Sequence, residues 1–144
     1  MMHTFSTQRE IAAPVASLYH AISTPELLAL WWGPDGFSNT FDLFEFYPGG
    51  RWVFTMHGPD GRHYPNECVF VEIEPLQQLV IRHSCAPFFT LTIRLSATAS
   101  GTLVQWAQQF DDAELAQKLA AIVEPANEQN LSRLAAVVAS NSEN

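Results

Sequence analysis

Lysine is almost missing. Lys118 is the sole lysine in 144 residues, and all cations together number 7 against 15 Asp and Glu, for a formal net charge of -8. Phosphate contacts and anionic lipid surfaces both need clustered Lys and Arg, so neither nucleic-acid binding nor membrane tethering is expected. Charged residues reach only 15%, while hydrophobic residues make up 47%, the reverse of a disordered composition. No apolar run approaches the ~20 residues of a membrane span. The start, Met1 to Ser6, lacks a basic stretch followed by an apolar one, so no secretory signal and a cytoplasmic location are expected. Cysteine is scarce too. Cys68 and Cys85 lack C-x-x-C spacing and fit neither a metal site nor a disulfide framework. Both are expected as small, reduced core residues on strands. Also missing are a nucleophile elbow, a phosphate loop, a dinucleotide fingerprint and a supported Ser-His-Asp set, so no cofactor is expected.

Aromatic residues are abundant: Phe 10, Trp 4 and Tyr 3, or 12% of the chain. Their spacing reads as one domain over residues 1–144. Phe5 to Ala13 alternates as a strand. Pro14 to Ile22 carries Val15, Leu18, Tyr19 and Ile22 at helical spacing, and Thr24-Pro25 caps a second short helix that Gly33-Pro34-Asp35-Gly36 ends. The period then becomes two. Strands are expected over Phe37–Tyr47, Arg51–His57, His63–Glu74, Gln78–Ser84, Phe88–Ala97 and Thr102–Phe110, separated by Gly and Pro turns. After Asp111-Asp112, a helix cap, the period is helical again, with Pro125 interrupting or restarting it and the tail from Ser140 fraying. Consecutive strands with short turns pair antiparallel, and helices segregated from such a sheet define an α+β class.

Several strings follow one another in a telling order. They are Ala13-Pro14-Val15, Leu18-Tyr19-His20-Ala21-Ile22, Trp31-Trp32-Gly33-Pro34-Asp35-Gly36-Phe37, Pro48-Gly49-Gly50-Arg51-Trp52, Gly58-Pro59-Asp60-Gly61, Glu72-Ile73-Glu74-Pro75, Gly101-Thr102 and Asn127 to Leu134. In this order they resemble the helix-grip superfamily of START lipid-transfer domains, polyketide cyclases and the birch-pollen allergen. Within it they are most similar to the branch named after the activator of the Hsp-ninety ATPase. Two positions depart from that pattern: Tyr47 stands where Arg commonly precedes Pro-Gly-Gly, and His83 where an aromatic residue, often Trp, is usual. The resemblance implies a curved antiparallel sheet of about seven strands gripping a long C-terminal helix, with two short helices between strands 1 and 2. Sheet and helix would enclose a mostly apolar cavity.

Strand alternation then nominates the wall: Trp52, Phe54 and Met56; Leu79, Ile81 and His83; Phe89, Leu91 and Ile93; Val104, Trp106 and Gln108. Leu131, Leu134 and Val138 face them from the helix, and Trp31, Trp32 and Phe37 gather at the mouth. The candidate ligand contacts are Trp31, Trp32, Phe37, Trp52, Phe54, Met56, Ile81, His83, Phe89, Leu91, Trp106, Gln108, Leu131 and Leu134. The expected partner is a small, neutral to weakly polar, aromatic or apolar molecule. His83 reads either as a core histidine bonded to the backbone or as an acid/base of a cyclase or hydrolase, which would need a second group such as Glu45 or Glu72. His57 and His63 flank a hairpin tip and make a poor metal signal. The branch name adds a co-chaperone reading with chaperone contact, and unpaired sheet edges allow a homodimer.

Overall fold

The computed structural model describes residues 1–141. Its first strand, β1 (His3–Ile11), buries Phe5 and Ile11 and exposes Thr4, Ser6, Gln8 and Glu10, as its alternating sequence demands. Pro14 has no N–H for a ladder, and its φ of -64° leads into α1 (Val15–Ser23), which buries Leu18, Ala21 and Ile22. α2 (Pro25–Trp31) follows at once, with Pro25 in its first turn. Thr24 caps α2 through its backbone carbonyl, which accepts from the Leu27 and Leu28 N–H groups. Its hydroxyl turns to His20 Nδ1 instead, 3.1 Å away.

Six more strands complete one sheet: β2 (Ser38–Phe44), β3 (Arg51–His57), β4 (His63–Glu74), β5 (Gln78–His83), β6 (Phe89–Ala97) and β7 (Thr102–Phe110). The order across the sheet is β1-β7-β6-β5-β4-β3-β2, and every pair is antiparallel. The first strand therefore pairs with the last, His3 opposite Phe110. The register slips between Phe41 and Leu43 and between Phe70 and Glu72. One extra residue on one strand bends it and adds twist, which curls β2–β4 over the helices. The turn before β3 needs Gly50, because a Cβ there would lie 1.9 Å from the Glu45 carbonyl oxygen.

The last element, α3 (Ala113–Asn141), is one unbroken helix. Pro125 neither interrupts nor restarts it, contrary to the sequence expectation. A proline removes one N–H from the helical ladder, and packing at both ends of a long helix holds it through that loss. Asp112 caps the start, its Oδ1 accepting from the N–H groups of Glu114 and Leu115. Ser140 and Asn141 are still helical; the tail beyond them lies outside the described residues.

Two apolar clusters hold α3 to the sheet. Near its start, Ala116 packs with Phe5 and Phe110, and Leu119, Ala120 and Val123 lean on them. Near its end, Leu131, Leu134 and Val138 join the large core with α1, α2 and the inner face of β3–β7. Between these anchors the helix presents Ala126, Asn127 and Asn130. These side chains are too small or too polar to fill the space to the sheet, so the fold is left open there.

Candidate functional site

That space is a cavity of about 280 Å³ between the sheet and the middle of α3. Its sheet wall is Phe54 and Met56 of β3, Asn66 of β4, His83 of β5, Phe89 and Leu91 of β6, and Trp106 and Gln108 of β7. Trp32, Gly33 and Pro34 close it from the loop after α2, Pro87 from the turn between β5 and β6. Ile122, Val123, Ala126, Asn127 and Asn130 of α3 complete it. The wall is mainly apolar with a few polar groups, the usual make-up of a small-molecule site. A larger groove of about 390 Å³ along β1, β7 and β6 is built mostly from polar strand residues such as Ser6, Gln8, Thr92, Arg94 and Gln105. It offers an apolar ligand less.

Eight sequence candidates meet in the cavity wall: Trp32, Phe54, Met56, His83, Phe89, Leu91, Trp106 and Gln108. The other six lie elsewhere. Trp31 is fully buried behind Trp32, and its Nε1–H donates to the Ala21 carbonyl at 3.0 Å. Trp52 is fully buried too, stacked on Phe54 at 4.2 Å and set edge-on to Trp32 at 4.9 Å, so it supports the wall from behind. Ile81, Leu131 and Leu134 pack in the core. Phe37 pairs with Tyr64 beside the cavity. Alternation identifies the inward face but not depth along it, and large side chains that meet a partner become core.

The loop that closes the cavity is held by α3. Gly33 has φ +99°, a conformation that favours glycine, and its N–H donates to Asn130 Oδ1 at 2.8 Å. The Asp35 N–H donates to Gln129 Oε1 at 3.0 Å. The Arg133 guanidinium donates to five carbonyls at the end of α2 and in the loop after it: Trp32, Gly33 and Pro34 through Nη1, and Leu30 and Phe37 through Nη2. Burial lowers the Arg133 pKa, partly offset by the Asp35 carboxylate. Neither strand alternation nor the apolar stripe of the last helix singles out Arg133. The spacing Asn130-x-x-Arg133 puts both side chains on one helix face, one turn apart, and that was the available signal.

His83 is 6% exposed and stacks on Phe89 with ring centres 4.4 Å apart. Its Nδ1 lies 2.7 Å from the Pro87 carbonyl and its Nε2 2.6 Å from Asn66 Oδ1, while Asn66 Nδ2 donates to the Tyr64 carbonyl. Burial lowers the His83 pKa, and its hydrogen bonds to backbone act the other way. A carbonyl accepts only from a protonated nitrogen, so the neutral ring donates from Nδ1 to the Pro87 carbonyl, the arrangement of a core histidine bonded to backbone, and Nε2 is left as an acceptor. No Asp or Glu lines the cavity. Glu45 Oε1 instead accepts from the Arg51 N–H, and Glu72 interacts with Glu74 on β4, which raises its pKa.

Cys68 is buried on β4, where burial pushes its thiol up. Cys85 departs from the expectation of a strand residue. It sits half-buried in the turn after β5, with Sγ 3.6 Å from His83 Nε2. At the β3–β4 hairpin His57 Nδ1 and His63 Nδ1 are 2.7 Å apart, and His57 Nε2 meets Thr40 Oγ1. Among the described residues no group of three or more His, Cys, Asp or Glu could hold a metal ion, and no helix is long and apolar enough to cross a membrane.

The geometry agrees with solved structures. A protein from Nitrosomonas europaea superposes with TM-score 0.87 at 21% identity, covering 96% of this chain and 95% of its own. One from Arthrobacter aurescens gives TM-score 0.87 at 25% identity over 95% and 86%. An AHSA1-like protein from Aeromonas hydrophila gives 0.77 at 19% over 97% and 94%. These likenesses carry the helix-grip fold. A comparison with curated proteins finds no match. Residues 12–139 match the model of the family described as activator of Hsp90 ATPase homolog 1-like protein. That match spans most of the chain, all of α1 and α2 and six of the seven strands, and the chain belongs to that family.

Proposed function

We propose that this protein binds a small, neutral, largely apolar or aromatic molecule in the cavity between sheet and α3. The observation that carries this reading is the cavity itself. It lies where α3 passes between two well-packed clusters, and the chain spends Asn130 and Arg133 on fixing the loop that closes it. Its volume of about 280 Å³ lies just below the usual ~300–1,000 Å³ range, which favours a compact ligand. No Lys, Arg, Asp or Glu lines the wall. A charged ligand would lose hydration there and gain no counter-charge. His83 donates its one neutral-ring proton to the Pro87 carbonyl and has no carboxylate beside it, which counts against acid/base chemistry on a cyclase or hydrolase substrate.

Native mass spectrometry of the protein purified from its own host tests this reading. The expected result is a bound small molecule that survives gentle ionisation. Ala126→Trp is expected to remove it, because Ala126 lines the cavity from a half-buried position on α3 where a large ring can enter the space. Stability should change by no more than about 1 kcal/mol, since a half-exposed helix site tolerates the exchange. Equal retention by the parent and Ala126→Trp would place the bound molecule elsewhere and contradict the proposal.

A further inference from the structure

We propose that His57 and His63 form a two-histidine metal site at the end of the β3–β4 hairpin, suited to a divalent ion of square-planar preference, copper above nickel. Neither residue lines the cavity, so the site is separate from it. His57 and His63 stand directly opposite each other in the register of β3 and β4. Residues so paired project to the same face of a sheet. Met56, the neighbour of His57, lines the cavity, which puts the two imidazoles on the outer face. There the two Nδ1 atoms converge to 2.7 Å.

That separation fits one coordination geometry better than another. Metal–imidazole bonds of about 2.0–2.1 Å set the two nitrogens at an angle of about 80–85° at the ion. A square-planar ion holds neighbouring ligands at about 90°, whereas a tetrahedral ion needs the nitrogens about 3.3 Å apart. Nitrogen ligands in a tetragonal set suit copper and nickel, and copper stands highest in the divalent affinity order. In the hydrogen-bonded pair one proton lies between the two nitrogens, and either ring can carry it on its own Nε2 instead. His63 is exposed, and His57 Nε2 lies 2.7 Å from Thr40 Oγ1, a hydroxyl that accepts as well as donates. The same contact holds the His57 ring in place, as outer partners of metal-bound histidines do. The rings stand at 82° to each other, so the exposed His63 ring turns to aim its lone pair at the ion. Two nitrogens are the whole protein contribution, because among the described residues no third His, Cys, Asp or Glu joins them. Water fills the other positions. The remaining histidines have different partners: His3 the Phe5 ring, His20 the Thr24 hydroxyl and His83 the Pro87 carbonyl.

Copper titration of the full chain tests the proposal. His3→Gln serves as the background, so that the histidine nearest the chain's amino group does not compete for the ion. Calorimetry is expected to show a single ion per chain. His57→Gln and His63→Gln should each weaken binding about a hundredfold, because each leaves one imidazole where two acted together. Combining them should weaken it little further, and His20→Gln should change nothing. The paramagnetic ion should also broaden the NMR amide signals of Thr40 and residues 57–63, while those of Leu131 and Leu134 stay sharp. Equal affinity with and without His63→Gln, broadening away from the hairpin, or no binding at millimolar copper would overturn the site. The cavity reading stands in each case, since neither histidine belongs to it.

Discussion

Trp52→Ala is expected to lower unfolding free energy by about 3–5 kcal/mol, the usual cost of removing a fully buried large aromatic ring. Trp52 has no exposed surface. It stacks on Phe54, lies parallel to Phe70 at 5.9 Å, and takes Trp32, Phe41 and Phe44 edge-on. No neighbour can fill a void of indole size, because each is itself held by other rings. A small domain has only about 5–15 kcal/mol to lose, so the variant should unfold at far lower denaturant concentration with an unchanged slope. Trp32 and Phe54 rest on Trp52 and line the cavity, so ligand affinity should fall as well. A loss below about 1 kcal/mol in urea unfolding would show that the ring is not packed in this way.

Arg133→Met should cost about 3 kcal/mol and lower the melting temperature by about 10 °C. The apolar stem is kept, so the loss belongs to the guanidinium. Five carbonyls of the segment Leu30–Phe37 then have no donor on α3. Bonds to a charged donor contribute more than neutral ones, but bonds sharing one guanidinium do not add, which keeps the total well below five separate contributions. Arg133→Lys should recover only part, because an ammonium is a point donor and cannot fork across the loop. Amide hydrogen exchange at Gly33 to Phe37 should quicken in the Met variant more than elsewhere. A melting temperature within a degree or two of the parent would remove Arg133 from its assigned role.

Much of this was legible in the sequence, and the reasons differ by element. Period-two patterning located the seven strands, because six of them bury one face and β2 half-buries its own, and ordered motifs spanning most of the chain identified the helix-grip arrangement. Pro125 misled, since a local helix breaker says nothing about the packing that carries α3 past it. In the site, alternation found the sheet side of the cavity from Phe54 to Gln108. It failed on α3, where the large apolar residues Leu131 and Leu134 attracted attention and are core, while Ala126, Asn127 and Asn130 line the space. A cavity occurs where side chains are too small to fill it, so hydrophobicity alone cannot reveal it. Asn66 and Pro87 were hidden for another reason. A β4 register and a turn bring them to His83, and neither is a local pattern.

The most direct test of the cavity as a ligand site uses the four tryptophans as reporters. In an isotope-labelled sample, the indole N–H resonances of Trp31, Trp32, Trp52 and Trp106 can be followed by NMR while naphthamide is added. Trp106 and Trp32 line the cavity, whereas Trp31 is bonded to Ala21 and Trp52 lies behind the wall. The account predicts saturable shifts at Trp106 and Trp32, with Trp31 and Trp52 nearly still. Shifts confined to Trp31 and Trp52, or four unmoved resonances at the solubility limit of the probe, would contradict it.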